Sequence, residues 1–166
     1  MSGALDLTQP WHLFEKMERE AETLAACPED TYAAINALRD AYHLREWIWH
    51  GRLEHDTTLQ AEVMGERGNE EDWNIWVKQH FPDFTIVHEL CNGSKHFLPH
   101  AKDTVRATHR PGYGSPLFAY DVGPLGYGVR ALFVQTDGGR IISIDNLVSR
   151  IRDFWNDQFE QFPGLR

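Results

Sequence analysis

The segment from Pro28 to about Gly51 carries small apolar residues at alternating spacings of three and four, and this pattern constrains the fold more than any other in the chain. The apolar seam consists of Ala34, Ala37, Ala41, Leu44 and Ile48. Such spacings place the side chains on one face of an α-helix. Because the seam is rich in alanine, a neighbouring helix can approach closely. We therefore expect a long second helix inside a helical bundle.

Three further helices are expected in the first hundred residues, because their apolar residues follow helical periodicity and prolines bound them. They are predicted at 10–26, from 70 to just before Pro82, and from 84 to just before Pro99, with a polar loop at 53–71. Acidic residues at the start of the third segment also suit the positive end of a helix dipole.

The pattern changes beyond residue 100. Strand-favouring residues occupy 104–109 and 118–122, and a hairpin is predicted for 129–136 and 140–144 around an Asp-Gly-Gly turn. A last helix follows, with Asp145 as its expected cap. The predicted fold is mainly α (α+β), a single domain over 1–166. It comprises an N-terminal antiparallel helical bundle at 9–100, followed at 101–166 by a small antiparallel β-sheet and a C-terminal helix.

Composition narrows the class of protein. The chain has 166 residues, 42% of them hydrophobic, which is enough for one domain with a substantial core. Two cysteines indicate neither a disulfide framework nor a four-cysteine zinc site. No apolar run approaches the roughly 20 residues that cross a membrane. We expect a soluble cytoplasmic protein without membrane contact, whose net charge of −9 disfavours general polyanion binding.

The fourth predicted helix carries a polar cluster inside an apolar segment. Glu89, Asn92 and His96 fall at i, i+3 and i+7 and share a face, with Lys95 beside them. Gly93 costs about 1 kcal/mol relative to alanine inside a helix, a cost often tolerated where a ligand or another backbone comes close. Two interpretations remain open: a functional site, or a structural histidine paired with Glu89.

The second helix carries a polar ridge opposite its seam, formed by Arg39, His43, Glu46 and His50. Such a ridge is most often the solvated face of a helix. As a weaker alternative, the spacing of His43, Glu46 and His50 suits a divalent metal, although further ligands would have to come from other segments. Cys91 is a minor candidate nucleophile, with His88 or His96 as its base.

The string from Cys91 to His96, following a long second helix, resembles the HEPN superfamily of small helical-bundle proteins. Many ribonucleases of that superfamily carry an arginine, a polar residue that is often asparagine, three further residues and a histidine. Asn92 and His96 match this pattern, whereas Cys91 stands in the place of the arginine. The chain also resembles uncharacterised bacterial proteins that pair a Tyr-His-Leu-x-x-Trp-Ile helix with an Asn-Gly-Ser-Lys-His-Phe helix.

The resemblance implies a homodimer whose signature helices form one cleft, in a toxin–antitoxin or phage-defence system. The implied function is the handling of RNA or nucleotides, with metal-independent ribonuclease activity and no cofactor. Such cleavage requires a proton acceptor, a proton donor and a cation. His96 and Asn92 are the candidate residues on the fourth helix, and Lys95 or Arg45 supplies the cation. Arg45 can contribute only if the second and fourth helices pack side by side.

Two other functions remain open. The chain is a candidate non-catalytic interaction module, in which the acidic first hundred residues bind a basic protein partner and Cys91 marks lost activity. It is also, with less support, a candidate metal-dependent hydrolase that uses His43, Glu46 and His50.

Overall fold

The computed structural model describes residues 7–95, 105–109 and 131–166. In chain order the elements are α1 (Pro10–Ala26), α2 (Thr31–Gly51), a 3₁₀ turn (Leu53–His55), α3 (Thr57–Met64), α4 (Glu70–His80), α5 (Phe84–Lys95), β1 (Val105–His109), β2 (Phe133–Thr136), β3 (Ile141–Ser143), α6 (Ile144–Gln161) and a final 3₁₀ turn (Pro163–Leu165). The predicted class is confirmed: the fold is mainly helical, with a small antiparallel sheet and a C-terminal helix. Within these residues no helix is both long and apolar enough to span a membrane.

Side-chain caps fix where α2 and α4 begin. The Asp30 carboxylate accepts hydrogen bonds from the backbone N–H groups of Tyr32 and Ala33 at 2.9 and 3.0 Å, so α2 begins at Thr31 rather than at Pro28. Asn69 forms a reciprocal capping box with Asp72 at the start of α4.

The prediction of a polar loop at 53–71 was wrong. This segment contains a 3₁₀ turn and α3, which is capped by Asp56. Leu53, Leu59 and Val63 are buried in the core. The helix was missed because its apolar residues are few and their repeat spans only two turns.

The alanine seam of α2 lies at the centre of the core. Ala37, Ala41, Leu44 and Ile48 are completely buried, and α2 packs against α1, α5 and α6. Two buried indoles also bind its backbone: Trp73 Nε1 donates to the carbonyl of Arg45 at 2.9 Å, and Trp155 Nε1 donates to that of Ala41 at 3.1 Å. These bonds satisfy the indole N–H groups and hold α4 and α6 against one side of α2.

The sheet has the order β1-β2-β3 and is antiparallel throughout. Gly139 closes the β2–β3 turn with a φ of +79°, a conformation that glycine adopts at little cost. The helix after β3 begins at Ile144 with Ser143 at the cap position, so Asp145 lies in the first turn and is not the cap. The predicted strand at 118–122 falls outside the described residues. Helix α6, assigned from sequence to the C-terminal part, packs on α1 and α2 and shares their core.

Asp83, immediately before α5, links that helix to the C-terminal elements. Arg140 donates two hydrogen bonds to its carboxylate at 2.8 and 2.7 Å, and Arg150 donates one at 2.6 Å. Burial alone would raise the pKa of Asp83, but the two guanidinium groups outweigh it and hold the pKa below 3.8, the ordinary value. We call Asp83, Arg140 and Arg150 the Asp83 network.

Candidate functional site

Helices α2 and α5 pack side by side and run in opposite directions. The Cys91 thiol donates to the carbonyl of Leu38 at 3.3 Å. One turn further along α2, the Tyr42 ring stacks on the His88 ring, with centroids 5.2 Å apart and planes inclined by 8°. The packing that Arg45 was expected to need is therefore present.

Cys91, at the position of the motif arginine, is a packing residue in this fold. Its thiol is buried and bound to the α2 backbone. Burial raises the pKa of Cys91 to about 12, and the positive charge of Arg39 opposes that rise. A thiol of this kind is scarcely ionised at neutral pH, which disfavours Cys91 as a nucleophile.

Polar side chains border this contact on both helices, and we call the surface between them the α2–α5 groove. On α5, His88 Nε2 and Asn92 Nδ2 are 2.9 Å apart, and Asn92 is exposed. Because the amide nitrogen donates, His88 Nε2 is the acceptor in this bond. On α2, Arg39 is exposed and His43 is half-exposed. The centroids of the His43 and Tyr42 rings are 5.3 Å apart.

His43 is held by a carboxylate. Its Nδ1 lies 3.2 Å from Glu46 Oε2, so Nε2 is the ring nitrogen left for another partner. A carboxylate on one nitrogen of an imidazole fixes the orientation of the ring. Glu46 therefore positions the His43 ring beside the groove.

Arg45 is too enclosed to reach a phosphate, although it was predicted to supply the cation. It is only 9% exposed, donates to Glu46 Oε1 at 3.0 Å, and places its guanidinium carbon 5.0 Å from the Tyr42 ring centroid. It also lies seven residues beyond Leu38, about 10 Å along the helix at 1.5 Å per residue. Since the helices are antiparallel, this displacement is towards the start of α5 and away from Asn92.

The predicted α5 residues are placed in part. Asn92 faces solvent, Lys95 is the last residue of the described helix, and His96 lies outside the described residues. Glu89, the expected structural partner of His96, accepts a hydrogen bond from the Val105 N–H at 2.7 Å. Glu89 thus ties α5 to β1.

The alternative metal ligands are not gathered into one set. His43 contacts Glu46, whereas His50 Nδ1 lies 3.0 Å from Glu54 Oε2. Among the residues that the structure describes, no group of three or more histidine, cysteine, aspartate or glutamate side chains is arranged to hold a metal ion.

Sequence reasoning named His88 only as a possible base for Cys91, and it did not assign Tyr42 to the site. The one available signal was the i, i+4 spacing of His88 and Asn92, which places them on one face of a helix. The contact with Tyr42 comes from a different helix and leaves no local trace in the sequence.

No protein-family model, curated protein or solved structure matches the chain. The resemblance to HEPN proteins therefore stays a prediction, and the site is argued from its geometry.

Proposed function

We propose that the protein handles RNA or nucleotides at the α2–α5 groove and acts there as a metal-independent ribonuclease. The observation that carries this proposal is the presence of two imidazoles against one tyrosine: the rings of His43 and His88 lie 5.3 and 5.2 Å from that of Tyr42. The exposed amide of Asn92 adjoins His88. Imidazole is the side chain whose ordinary pKa best suits proton transfer near neutral pH.

Cleavage of this type needs no metal and no water in its first step. The ribose 2′-oxygen forms a bond to phosphorus while the bond from phosphorus to the 5′-oxygen breaks. A base takes the proton of the 2′-hydroxyl, and an acid gives a proton to the departing 5′-oxygen. The products are a 2′,3′-cyclic phosphate and a 5′-hydroxyl. We assign His96 to one of these proton transfers, with Asn92 and Lys95 binding the phosphate.

The exposed flank of the Tyr42 and His88 rings also suits a nucleic acid base. Both residues are partly exposed and their planes are nearly parallel. Aromatic surfaces stack on bases without strong sequence preference, and single-stranded RNA leaves its bases available. A single-stranded substrate therefore fits better than a duplex. Homodimer formation and a role in a toxin–antitoxin or phage-defence system are part of the same proposal.

The test is cleavage of a labelled single-stranded RNA in the presence of EDTA, with analysis of the product ends. We expect wild-type protein to leave 2′,3′-cyclic phosphates, and His96→Ala to lower the rate by about 10²- to 10⁴-fold, the usual contribution of an acid or base. His55→Ala is the matched control, because His55 is a highly exposed histidine in the 3₁₀ turn. Equal activity of the two variants would contradict the role of His96.

A non-catalytic interaction module is the second candidate, favoured by the buried Cys91 at the position of the motif arginine. It predicts that wild-type protein has no RNA-cleaving activity with or without metal. Activity that appears only with added divalent metal would instead support the hydrolase with His43, Glu46 and His50.

A further inference from the structure

The α2–α5 groove needs a cation able to reach a phosphate, and Arg45 is poorly placed to supply it. Its side chain is almost buried, and its charge is already neutralised by Glu46 at 3.0 Å. Freeing this guanidinium would break an ion pair and leave Glu46 with less compensation. A different residue of α2 must therefore supply the cation.

Arg39 meets the requirement. It is exposed, and it makes no ion pair or hydrogen bond in the part of the chain described by the structure. It follows Leu38, whose carbonyl accepts the Cys91 thiol, so it lies at the level of Cys91 and Asn92 in the antiparallel pair. The effect of its charge on the Cys91 thiol agrees with this proximity.

Nearby acidic groups do not compete for Arg39. Asp40 binds Lys16 of α1 at 2.5 Å, and Glu46 binds both Arg45 and His43. The carboxylates on this stretch of α2 therefore have their own partners. Arg39 is left as a cation whose charge is open to an incoming anion.

Resting on the function proposed above, we infer that Arg39, and not Arg45, is the phosphate-binding cation that α2 contributes to the α2–α5 groove. Its target is a phosphodiester of single-stranded RNA. A guanidinium donates two parallel hydrogen bonds to phosphate oxygens, a geometry that an ammonium group lacks. Arg39 and His43 are separated by one helical turn, so a phosphate held by the first lies near the imidazole of the second.

The experiment measures binding of a fluorescent 2′-O-methyl RNA, which has no free 2′-hydroxyl and is not cleaved. We expect Arg39→Ala to weaken binding by about tenfold to a hundredfold at low salt, the usual range for a charge-assisted hydrogen bond. It should also reduce the slope of log Kd against log salt by about 0.7, the value for one phosphate contact on a single strand. Arg39→Lys should retain the slope and part of the affinity.

Arg67→Ala is the matched control. Arg67 is an exposed arginine between α3 and α4 and likewise makes no ion pair in the described part of the chain. If wild-type protein binds RNA and Arg39→Ala behaves like Arg67→Ala, with helical content retained in both, the assignment of Arg39 is overturned and the proposed function stands. If wild-type protein binds no RNA at any salt concentration, both are overturned.

Discussion

Polar side chains gather at the start of α5 and again near its end, and the two sets are satisfied in different ways. At the start, the Asp83 side chain is 8% exposed and accepts three hydrogen bonds from Arg140 and Arg150. Near the end, Asn92 faces solvent, with Arg39 exposed on the neighbouring helix. The charged groups of the Asp83 network bind one another, whereas the exposed side chains at the α2–α5 groove keep hydrogen-bonding capacity directed outward. The first holds elements together, and the second is available to a ligand.

Concavity alone points to the Asp83 network instead. A groove of about 250 Å³ adjoins the Asp83 network, between Asp83 and the β2–β3 turn. Its charged groups already bind one another, so an entering ligand would have to displace an ion pair. At the α2–α5 groove, by contrast, Arg39 makes no ion pair within the described part of the chain. A charge without a partner, rather than concavity, is therefore the reason for placing the proposed site there.

The largest effect should be slow chemical modification of Cys91, which is buried between α5 and α2 beneath the α2–α5 groove. Iodoacetamide at pH 8 should modify the exposed Cys27 and leave Cys91 at least about 10³-fold slower, because a thiol with a pKa near 12 has little thiolate. Mass spectrometry of the digested protein measures both sites. Similar rates in urea-unfolded protein serve as the control. If Cys27 and Cys91 of the native protein react at rates within tenfold of each other, Cys91 is accessible to the reagent and the prediction is wrong.

The second effect concerns the Asp83 network. Asp83→Ala should lower the free energy of unfolding by about 2–3 kcal/mol, because three charge-assisted hydrogen bonds to a carboxylate that is only 8% exposed disappear. Asp153→Ala is the matched control: its carboxylate pairs with Arg152 but is 60% exposed, so we expect a change below about 0.5 kcal/mol. Urea denaturation at pH 7 measures both variants. Equal changes would remove the distinction between the buried carboxylate of Asp83 and the exposed one of Asp153.

Wild-type protein and Asp83→Ala can also be compared as a function of pH. The pKa of Asp83 is lower in the folded protein than its ordinary value of 3.8. The carboxylate therefore contributes stability that is fully present above 3.8 and is lost as the pH falls through the folded value. The difference in the free energy of unfolding between wild type and Asp83→Ala should therefore decrease as the pH falls below 3.8. A constant difference down to pH 2 would contradict the ion-pair explanation.

These two regions also show what the sequence could predict. The alanine seam predicted α2 and its buried face, because a helical repeat sustained over many residues leaves few alternatives. Asn92 and His43 were found by the same periodicity. The Asp83 network was not predicted, since its members come from three separate elements. The burial of Arg45 was missed for a related reason: it depends on the neighbours of α2 rather than on position along the helix.

The registration of α2 against α5 was the main feature beyond the reach of sequence reasoning. It depends on the Cys91 contact with Leu38 and on the stacking of Tyr42 with His88. Both contacts join residues far apart in the chain, and neither follows from a local repeat. The prediction that Arg45 could replace the motif arginine depended on how α2 and α5 are registered. The observed registration places Arg39, rather than Arg45, level with Asn92.

The smallest effect concerns Gly93, which follows Asn92 in α5. A Cβ added there meets no atom within 4 Å among the described residues, and the backbone is not in the left-handed region. Gly93→Ala should therefore raise the free energy of unfolding by about 0.5–1 kcal/mol, the difference in helix propensity. Gly164→Ala should have the opposite sign, because its Cβ would lie 3.0 Å from a Leu59 methyl group.

The same variant separates two explanations for a glycine in this helix. Close approach of another backbone predicts that Gly93→Ala destabilises the protein, but no described residue lies within 4 Å of the added Cβ. Close approach of a ligand predicts that the variant is more stable yet binds 2′-O-methyl RNA more weakly, because the added methyl group occupies the space that the ligand needs. Urea denaturation and RNA binding of the one variant give both quantities. A more stable protein with unchanged RNA affinity would mean that bound RNA does not reach this turn of α5.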